Sequence, residues 1–280
     1  MSFTSGASSA VLLASDVDGT FWPSGVPLAR LREAFAARSE GVQVLFVSSR
    51  TVPELDALTA ALGCGAEFIA ENGAVIVTGD PDIAVHLRGA RREALGARRA
   101  FVAAFEGSPR AIAVAIREAR RIHGAPVQLV AELSPAERRE ALGDESATHD
   151  ATARRASVLV RADWSSSATL SWATELREAG LRVAAGGHWT VVWEGADKGE
   201  ALRTYVAARA AAGHAPGLVA AVGDAENDAS LLGAAVRRFA MPRGDGTVHP
   251  ALRAVPGVEV APAAGTRGWL AVTATLGSAA

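Results

Sequence analysis

The sequence lacks several features that would each point to a particular class of protein. It contains one cysteine among 280 residues, so no internal disulfide can form and a reducing compartment is expected. No apolar run approaches the roughly 20 residues that a membrane-spanning helix needs, and the amino-terminal stretch lacks the basic region of a signal peptide. The formal net charge of −2 gives no indication of nucleic-acid binding. These absences favour a cytoplasmic protein with no nucleic-acid partner and no membrane partner.

Two further absences exclude particular kinds of site. The six histidines show no spacing typical of metal ligands, which argues against a zinc centre. The chain also has no Walker sequence and no strand-linked dinucleotide fingerprint, so nucleotide-driven transfer has no support.

Lysine is nearly absent as well. The chain has 28 basic residues, and Lys198 is its single lysine. In a chain that uses arginine almost everywhere, one lysine indicates a place that needs a compact ammonium instead of a planar guanidinium. Chance survival of one lysine is the alternative interpretation.

What is present indicates a globular α/β protein. Of the residues, 49% are hydrophobic and 21% are charged. Short apolar runs alternate with amphipathic helical segments near both ends of the chain, a pattern typical of a doubly wound parallel sheet. The fold class predicted is therefore a Rossmann-like α/β core.

The alternation is interrupted over residues 83–195, where helices and strands follow one another in α+β order. We therefore predict a core formed by 1–82 and 196–280, with 83–195 as an inserted cap domain. The insertion contains 16 basic and 13 acidic residues, against 12 and 17 in the remainder. A basic cap over an acidic core suits an anionic substrate held between them, although solvated arginine faces explain the charge equally well.

Reactive side chains follow three of the predicted core strands. Asp16 and Asp18 end the first strand, Ser48 follows the second, and Asp224 follows a later strand with Asn227 and Asp228 on the next turn. The carboxyl ends of such strands are where open α/β sheets bind ligands. An Asp-Gly turn after the first strand and a helix N-cap at Asp224 are the purely structural alternatives.

Converging carboxylates repel one another unless a cation lies between them. Oxygen-only ligands at a phosphate-handling site suit Mg²⁺, which binds one or two carboxylates and keeps several waters. The predicted cofactor is therefore Mg²⁺.

Four motifs in this order resemble those of the haloacid dehalogenase-like superfamily. They are Asp16-Val17-Asp18-Gly19-Thr20, Ser48 after its strand, Lys198, and Gly223-Asp224-x-x-Asn227-Asp228. The large insertion between the second and third motifs resembles the C2B cap of the Cof-like branch. The resemblance implies a phosphatase with a doubly wound core and an inserted cap.

The same resemblance assigns roles to these residues. Asp16 would be the nucleophile that forms an aspartyl phosphate, and Asp18 would move protons to the leaving oxygen and from water. Ser48 and Lys198 would complete the catalytic set by binding phosphoryl oxygens. The Mg²⁺ ligands would come from Asp16, the Asp18 main-chain carbonyl, Asp224 and Asp228, with Asn227 orienting that shell.

A narrower resemblance, to mannosyl-3-phosphoglycerate phosphatases, is carried by further segments. These are 47–51, 68–74, Gly186-Gly187-His188-Trp189 followed by Asp197-Lys198-Gly199, and Gly265-x-x-Gly268-Trp269. That subgroup produces mannosylglycerate or glucosylglycerate, which are compatible solutes, from the phosphorylated precursors. This chain departs from it in having Arg50 where the subgroup usually has lysine.

The partner predicted from this resemblance is a small phosphorylated sugar or glycerate. The candidate substrate-binding residues are Ser49, Arg50, Asn72, Gly187, His188 and Asn227. A β-turn and a packed aromatic would explain His188-Trp189 without a substrate. A generic Cof-like sugar phosphatase, a phosphomutase and a non-catalytic sugar-phosphate-binding regulator are the alternative functions.

Overall fold

The computed structural model describes residues 11–105, 107–142, 150–186 and 189–278 and contains two β-sheets. The larger sheet has nine strands, and its first six in spatial order are mutually parallel. In chain order they are β1 (Val11–Ser15), β2 (Val42–Val47), β3 (Phe68–Ala70), β4 (Val75–Thr78), β5 (Arg91–Leu95), β6 (Arg98–Ala104), β11 (Leu218–Gly223), β12 (Arg237–Ala240) and β13 (Val258–Val260). Their spatial order is β13-β12-β11-β1-β2-β3-β4-β6-β5. This confirms the predicted α/β core.

The second sheet has four antiparallel strands. They are β7 (Val127–Leu129), β8 (Ser157–Ala162), β9 (Arg182–Gly186) and β10 (Trp189–Trp193), in the order β7-β8-β10-β9. Two helices, Pro109–His123 and Ser167–Glu178, share one hydrophobic core with this sheet, centred on the fully buried Trp172. This sheet with its helices is the α+β unit expected from the sequence.

The predicted start of the inserted domain at residue 83 does not coincide with the start of the second sheet. Strands β5 and β6 pair with each other, and β6 pairs with β4, so residues 91–104 extend the large sheet. Strand pairing changes from parallel to antiparallel at β4. In the sequence, the loss of strand–helix alternation that accompanies this change cannot be distinguished from the start of a new domain. The division of the chain into a core domain and an inserted domain stays a prediction.

Helices cover both faces of the large sheet. In chain order its helices are Leu28–Ala36, Val52–Ala61, Pro81–Ala84, Lys198–Ala211, Ala229–Gly233, Pro250–Arg253 and Gly265–Gly277. The second-sheet region adds Pro135–Leu142 to the two helices named above, and single 3₁₀ turns lie at Glu71–Gly73, Val130–Glu132 and Glu226–Asp228. The sequence after Asp224 predicts a single helix over 228–237; that prediction is wrong, because the helix ends at Gly233 and a strand begins at Arg237.

Strand β1 lies in the middle of the sheet because it is apolar on both faces. Leu13 faces a core that includes Phe21 and Trp269, while Leu12 faces the opposite core beside Leu202. Buried strands of this kind are continuous apolar runs, as parallel sheets covered by helices require.

The carboxyl end of β1 is fixed by the last helix. The Trp269 indole donates to Ser15 Oγ at 3.0 Å, and that hydroxyl donates to the Asp16 carbonyl at 2.8 Å. Both links are buried, so the residue that follows β1 has a defined position.

Within the described part of the chain, no helix is both long enough and apolar enough to cross a membrane.

Candidate active site

Three carboxylates meet at the carboxyl edge of the large sheet. Asp16 follows β1, Asp224 follows β11, and Asp228 ends the 3₁₀ turn after Asp224. One oxygen from each lies within 4.8 Å of the others, an arrangement that could hold a metal ion. Adjacent parallel strands end at the same sheet edge, which explains why residues about 200 positions apart come together.

Lys198 lies directly beneath two of these acids. Its Nζ donates to Asp16 Oδ1 and to Asp228 Oδ1, each at 2.6 Å, and the residue is only 1% exposed. Burial alone would lower the pKa of Lys198, but the charges of Asp16 and Asp228 outweigh it and raise that pKa. The ammonium is therefore a permanent positive charge at the bottom of the site.

A capping box determines where this lysine lies. Asp197 accepts the Glu200 amide at 2.8 Å, and the Glu200 carboxylate accepts the Asp197 amide at 2.9 Å. The helix consequently begins at Lys198, whose side chain lies at the sheet edge.

The acids are electrostatically unfavourable without a cation. Burial first, and then the Asp228 charge, raise the pKa of Asp16 well above its ordinary value. The same two causes raise the pKa of Asp224 to about 6. When ionised, three carboxylates and one ammonium leave two negative charges, which one divalent cation would neutralise.

Backbone and hydroxyl donors orient the acids. Asp228 Oδ2 accepts the amides of Asp224 and Ala225, each at 3.0 Å, and Thr20 Oγ1 donates to Asp224 Oδ1 at 2.7 Å. Gly19, with φ of +83°, leaves no room for a side chain, since a Cβ there would collide with the Asp224 carboxylate. Thr20 was not among the predicted site residues, although it stands inside the first motif.

Asp18 lies outside the acid cluster and pairs with Arg50. Arg50 Nε donates to Asp18 Oδ2 at 2.9 Å and Nη2 donates to Oδ1 at 2.6 Å, a two-pronged ion pair. The guanidinium also lies 4.6 Å from the centre of the Trp22 ring. The structure thus places the predicted substrate residue Arg50 against the predicted proton-transfer residue, and the Asp18 carboxylate is not one of the grouped potential metal ligands.

Ser48 is fully buried, and its Oγ accepts the Arg50 amide at 3.2 Å. Ser49 lines the adjacent cavity. The loop after β2 is held by the turn after β3, because the Glu71 amide donates to the Arg50 carbonyl and the Asn72 amide to the Ser48 carbonyl, each at 2.9 Å.

Asn72 and Asn227, both predicted substrate-binding residues, contact each other at the cavity wall. Asn227 Nδ2 donates to Asn72 Oδ1 at 3.0 Å, and both residues line the cavity. Asn72 adopts φ of +61°, an uncommon conformation for a residue other than glycine. The other two predicted substrate residues, Gly187 and His188, lie outside the described residues.

A cavity of about 790 Å³ opens above the acids. Asp16, Asp18 and Asp224 line it from the large sheet, and Arg154 and Trp189 line it from the second-sheet region. Its volume falls within the range of small-molecule sites. The described residues therefore place an acidic, lysine-backed sheet edge at the floor of a ligand-sized cavity.

Part of the chain matches a known protein family, and almost the whole chain matches the fold of solved structures. Residues 13–87 match the family of haloacid dehalogenase-like hydrolases. No curated protein matches the chain.

Three similar solved structures illustrate the fold. A Thermoplasma acidophilum protein has a TM-score of 0.65 at 16% identity, covering 96% of this chain and 99% of its own. A haloacid dehalogenase-like hydrolase from Bacteroides thetaiotaomicron has 0.61 at 17%, covering 96% and 99%. The sucrose-phosphatase from Synechocystis sp. PCC6803, solved with sucrose and phosphate, has 0.59 at 16%, covering 95% and 98%. The family match covers residues 13–87, and the similarity to these solved structures extends the shared fold over almost the whole chain.

Proposed function

We propose that this protein is a Mg²⁺-dependent phosphatase that hydrolyses a phosphate monoester of a small sugar-containing molecule. The observation that carries the proposal is the convergence of Asp16, Asp224, Asp228 and Lys198 at one sheet edge, where Asp16 and Asp224 line a cavity. The match of residues 13–87 to a hydrolase family and the fold shared with a sucrose-phosphatase support the same class.

The donor set fits Mg²⁺ better than a softer metal. The grouped ligands are all carboxylates, with no histidine or cysteine among them. Asp16, Asp224 and Asp228 would hold the ion, with the Asp18 main-chain carbonyl as a further ligand implied by the motif. When bound, the ion would neutralise negative charge on the phosphoryl oxygens.

Asp16 is the proposed nucleophile. One of its carboxylate oxygens attacks phosphorus, the bond from phosphorus to the leaving oxygen breaks, and an aspartyl phosphate forms. Lys198, in contact with the other side of the same carboxylate, favours the ionised form that the attack requires. Asp16 is buried but lines the cavity, so a phosphate ester there can reach it.

Asp18 is the proposed proton-transfer group. It protonates the departing oxygen and then takes a proton from the water that hydrolyses the aspartyl phosphate. Its side chain is about half exposed at the cavity, while Arg50 holds both of its oxygens. Ser48 would bind a phosphoryl oxygen, in a loop that the turn at Asn72 keeps in position.

For the substrate we favour mannosyl-3-phosphoglycerate or glucosyl-3-phosphoglycerate, with mannosylglycerate or glucosylglycerate and phosphate as products. The motif resemblance supports this choice, and the cavity is large enough for a glycoside of two linked units. A broader sugar phosphatase is the second candidate, since the sucrose-phosphatase shares the fold over nearly the whole chain.

Phosphate release with Mg²⁺ tests the proposal. The panel comprises both glycosyl-3-phosphoglycerates, sucrose phosphate and simple hexose phosphates, each with wild-type protein and with Asp16→Asn. We expect release by the wild type, none with excess chelator, and none by the variant, whose folding is checked by circular dichroism. Activity on hexose phosphates alone would exclude the glycosyl-3-phosphoglycerate assignment. Retained activity in Asp16→Asn would exclude the nucleophile.

A further inference from the structure

The cavity above the acids is polar at one end only. Its polar lining side chains come from the loops at the carboxyl edge of the large sheet, from the first turn of the helix Val52–Ala61 and from the segment before β8. Away from these segments the lining residues are leucine, valine, alanine and tryptophan. The larger of them form an apolar wall, which consists of Leu28, Leu58, Leu142, Leu159, Trp189 and Val191.

The helix Val52–Ala61 shows the direction in which the cavity extends. One face of this helix lines the cavity at the spacing i, i+3, i+4 and i+7, through Glu54, Ala57, Leu58 and Ala61. Glu54 lies beside the loop after β2, because its carboxylate accepts the Thr51 amide at 2.8 Å. Ala61 lies about 10 Å farther along the helix axis, at 1.5 Å per residue. The cavity therefore runs from its polar end along an apolar helix face.

The second sheet supplies another part of the wall. Its register places Leu159, Val191 and Ala184 side by side on β8, β10 and β9, and all three line the cavity. The other face of this sheet packs on its two helices around Trp172. An antiparallel sheet covered on one face commonly has polar residues on the other. Here the middle of the face without helices is apolar, and it borders the cavity.

The wall keeps apolar surface that a ligand can cover. Leu28, Leu142 and Trp189 are half-buried, and they pack against a buried cluster that includes Leu159 and Val191. Removing apolar surface from water is favourable in proportion to its area. The wall therefore favours an apolar group over a hydroxylated one.

The leaving group of a phosphate ester would meet this wall. Asp18, the proposed proton donor to the leaving oxygen, lines the cavity together with Trp22, and a backbone bridge holds the two residues together. In a phosphate monoester everything beyond the phosphate belongs to the leaving alcohol. With the phosphate over Asp16, the rest of the cavity is open to that alcohol alone.

We infer that phosphate monoesters of apolar alcohols, with an alkyl or aryl group of several carbons, are a second substrate class of this site beside sugar esters. The inference rests on the proposed phosphatase function and adds a substrate class to it. The bond from phosphorus to the leaving oxygen breaks as in a sugar ester, and with one water the products are the free alcohol and phosphate. The apolar group lies along the helix Val52–Ala61 and against the second sheet.

A homologous series of n-alkyl phosphates, from propyl to hexyl phosphate, tests this inference. The leaving oxygen is almost equally basic throughout the series, so only the apolar length changes. With Mg²⁺ we expect kcat/KM to rise about two- to fourfold for each added methylene, as for the burial of one CH₂ group.

Leu28→Ser and Leu142→Ser make the wall more polar from two different segments. Both side chains are half-buried, and the helix Pro135–Leu142 has no buried residue, so neither change removes a fully buried side chain. In each variant the ratio of kcat/KM for hexyl phosphate to that for propyl phosphate should fall at least about threefold. The control is Leu170→Ser, because Leu170 is 54% exposed and does not line the cavity. It should keep the wild-type ratio.

The outcomes distinguish this inference from the proposed function. No phosphate release by the wild type from any alkyl or sugar ester would refute the phosphatase proposal itself. Release from sugar esters without a rise along the alkyl series would refute the inference alone. A rise that both wall variants leave intact, or that Leu170→Ser reduces equally, would also overturn it, because the alkyl group would then bind elsewhere.

Discussion

Removing one carboxylate from the acid cluster should stabilise the metal-free protein while abolishing its activity. Asp224→Asn is the substitution that tests this, because burial and the Asp228 charge raise the pKa of Asp224 to about 6 from the ordinary aspartate value of 3.8. The difference is about two pKa units, and at 1.36 kcal/mol per unit the ionised side chain costs the folded state about 3 kcal/mol. Asparagine carries no charge, and its carbonyl oxygen can still accept the Thr20 hydrogen bond.

The sign of the pH dependence follows from proton binding. Between pH 3.8 and about 6 the folded protein holds the Asp224 proton more tightly than the unfolded chain does. The contribution of Asp224 to stability is therefore most favourable below this range and is lost as the pH rises through it. The gain from Asp224→Asn should be about 3 kcal/mol at pH 8 and roughly half of that at pH 5.

Urea denaturation in excess chelator, at pH 5 and pH 8, measures this gain. Glu226→Gln is a matched control, since Glu226 lies in the same loop, carries the same charge and is exposed. Saturating Mg²⁺ should stabilise the wild type, by about 2.7 kcal/mol at one hundred times its dissociation constant, and should stabilise Asp224→Asn much less. A metal-free variant less stable than the wild type at pH 8, with the control unchanged, would refute the electrostatic reasoning.

Two further substitutions test other parts of the site. Lys198→Arg should lower kcat at least 100-fold, because a planar guanidinium cannot replace a buried ammonium that contacts both Asp16 and Asp228. A wild-type kcat in this variant would refute the argument that the site needs a lysine. Glu71→Gln should lower the free energy of unfolding by about 1–3 kcal/mol. The buried Glu71 carboxylate accepts three hydrogen bonds from the start of β8 and the residues just before it, and the NH₂ group of glutamine would place a donor against one of those donors. Chemical denaturation measures this, and an unchanged midpoint would show that these three bonds do not stabilise the fold.

The acid cluster could be predicted from the sequence because its geometry depends on strands and not on loops. Asp16 and Asp224 each follow an apolar run, and parallel neighbours must end at the same edge. Lys198 could also be predicted, since it is the one exception to a strong arginine preference. The capping box that places it is visible as Asp197 and Glu200, three residues apart.

The contacts made by loops could not be predicted in the same way. Arg50 and Asp18 are 32 residues apart on two different loops, and nothing in either motif indicates that they pair. Arg154 lies in an arginine-rich stretch in which no periodicity distinguishes the residue at the cavity from its neighbours. Its position depends on contacts with Ser49 and Ser157, and those contacts exist only once the two sheets are in place.

The charges at the cavity floor would determine how a substrate binds. At the floor, three carboxylates and one ammonium leave a negative excess that would favour a divalent cation and, through it, a phosphate. This site would bind a doubly charged phosphate better than a singly charged carboxylate. On the proposed function, the same carboxylates that are unfavourable together without a cation would, through that cation, direct the phosphate towards Asp16.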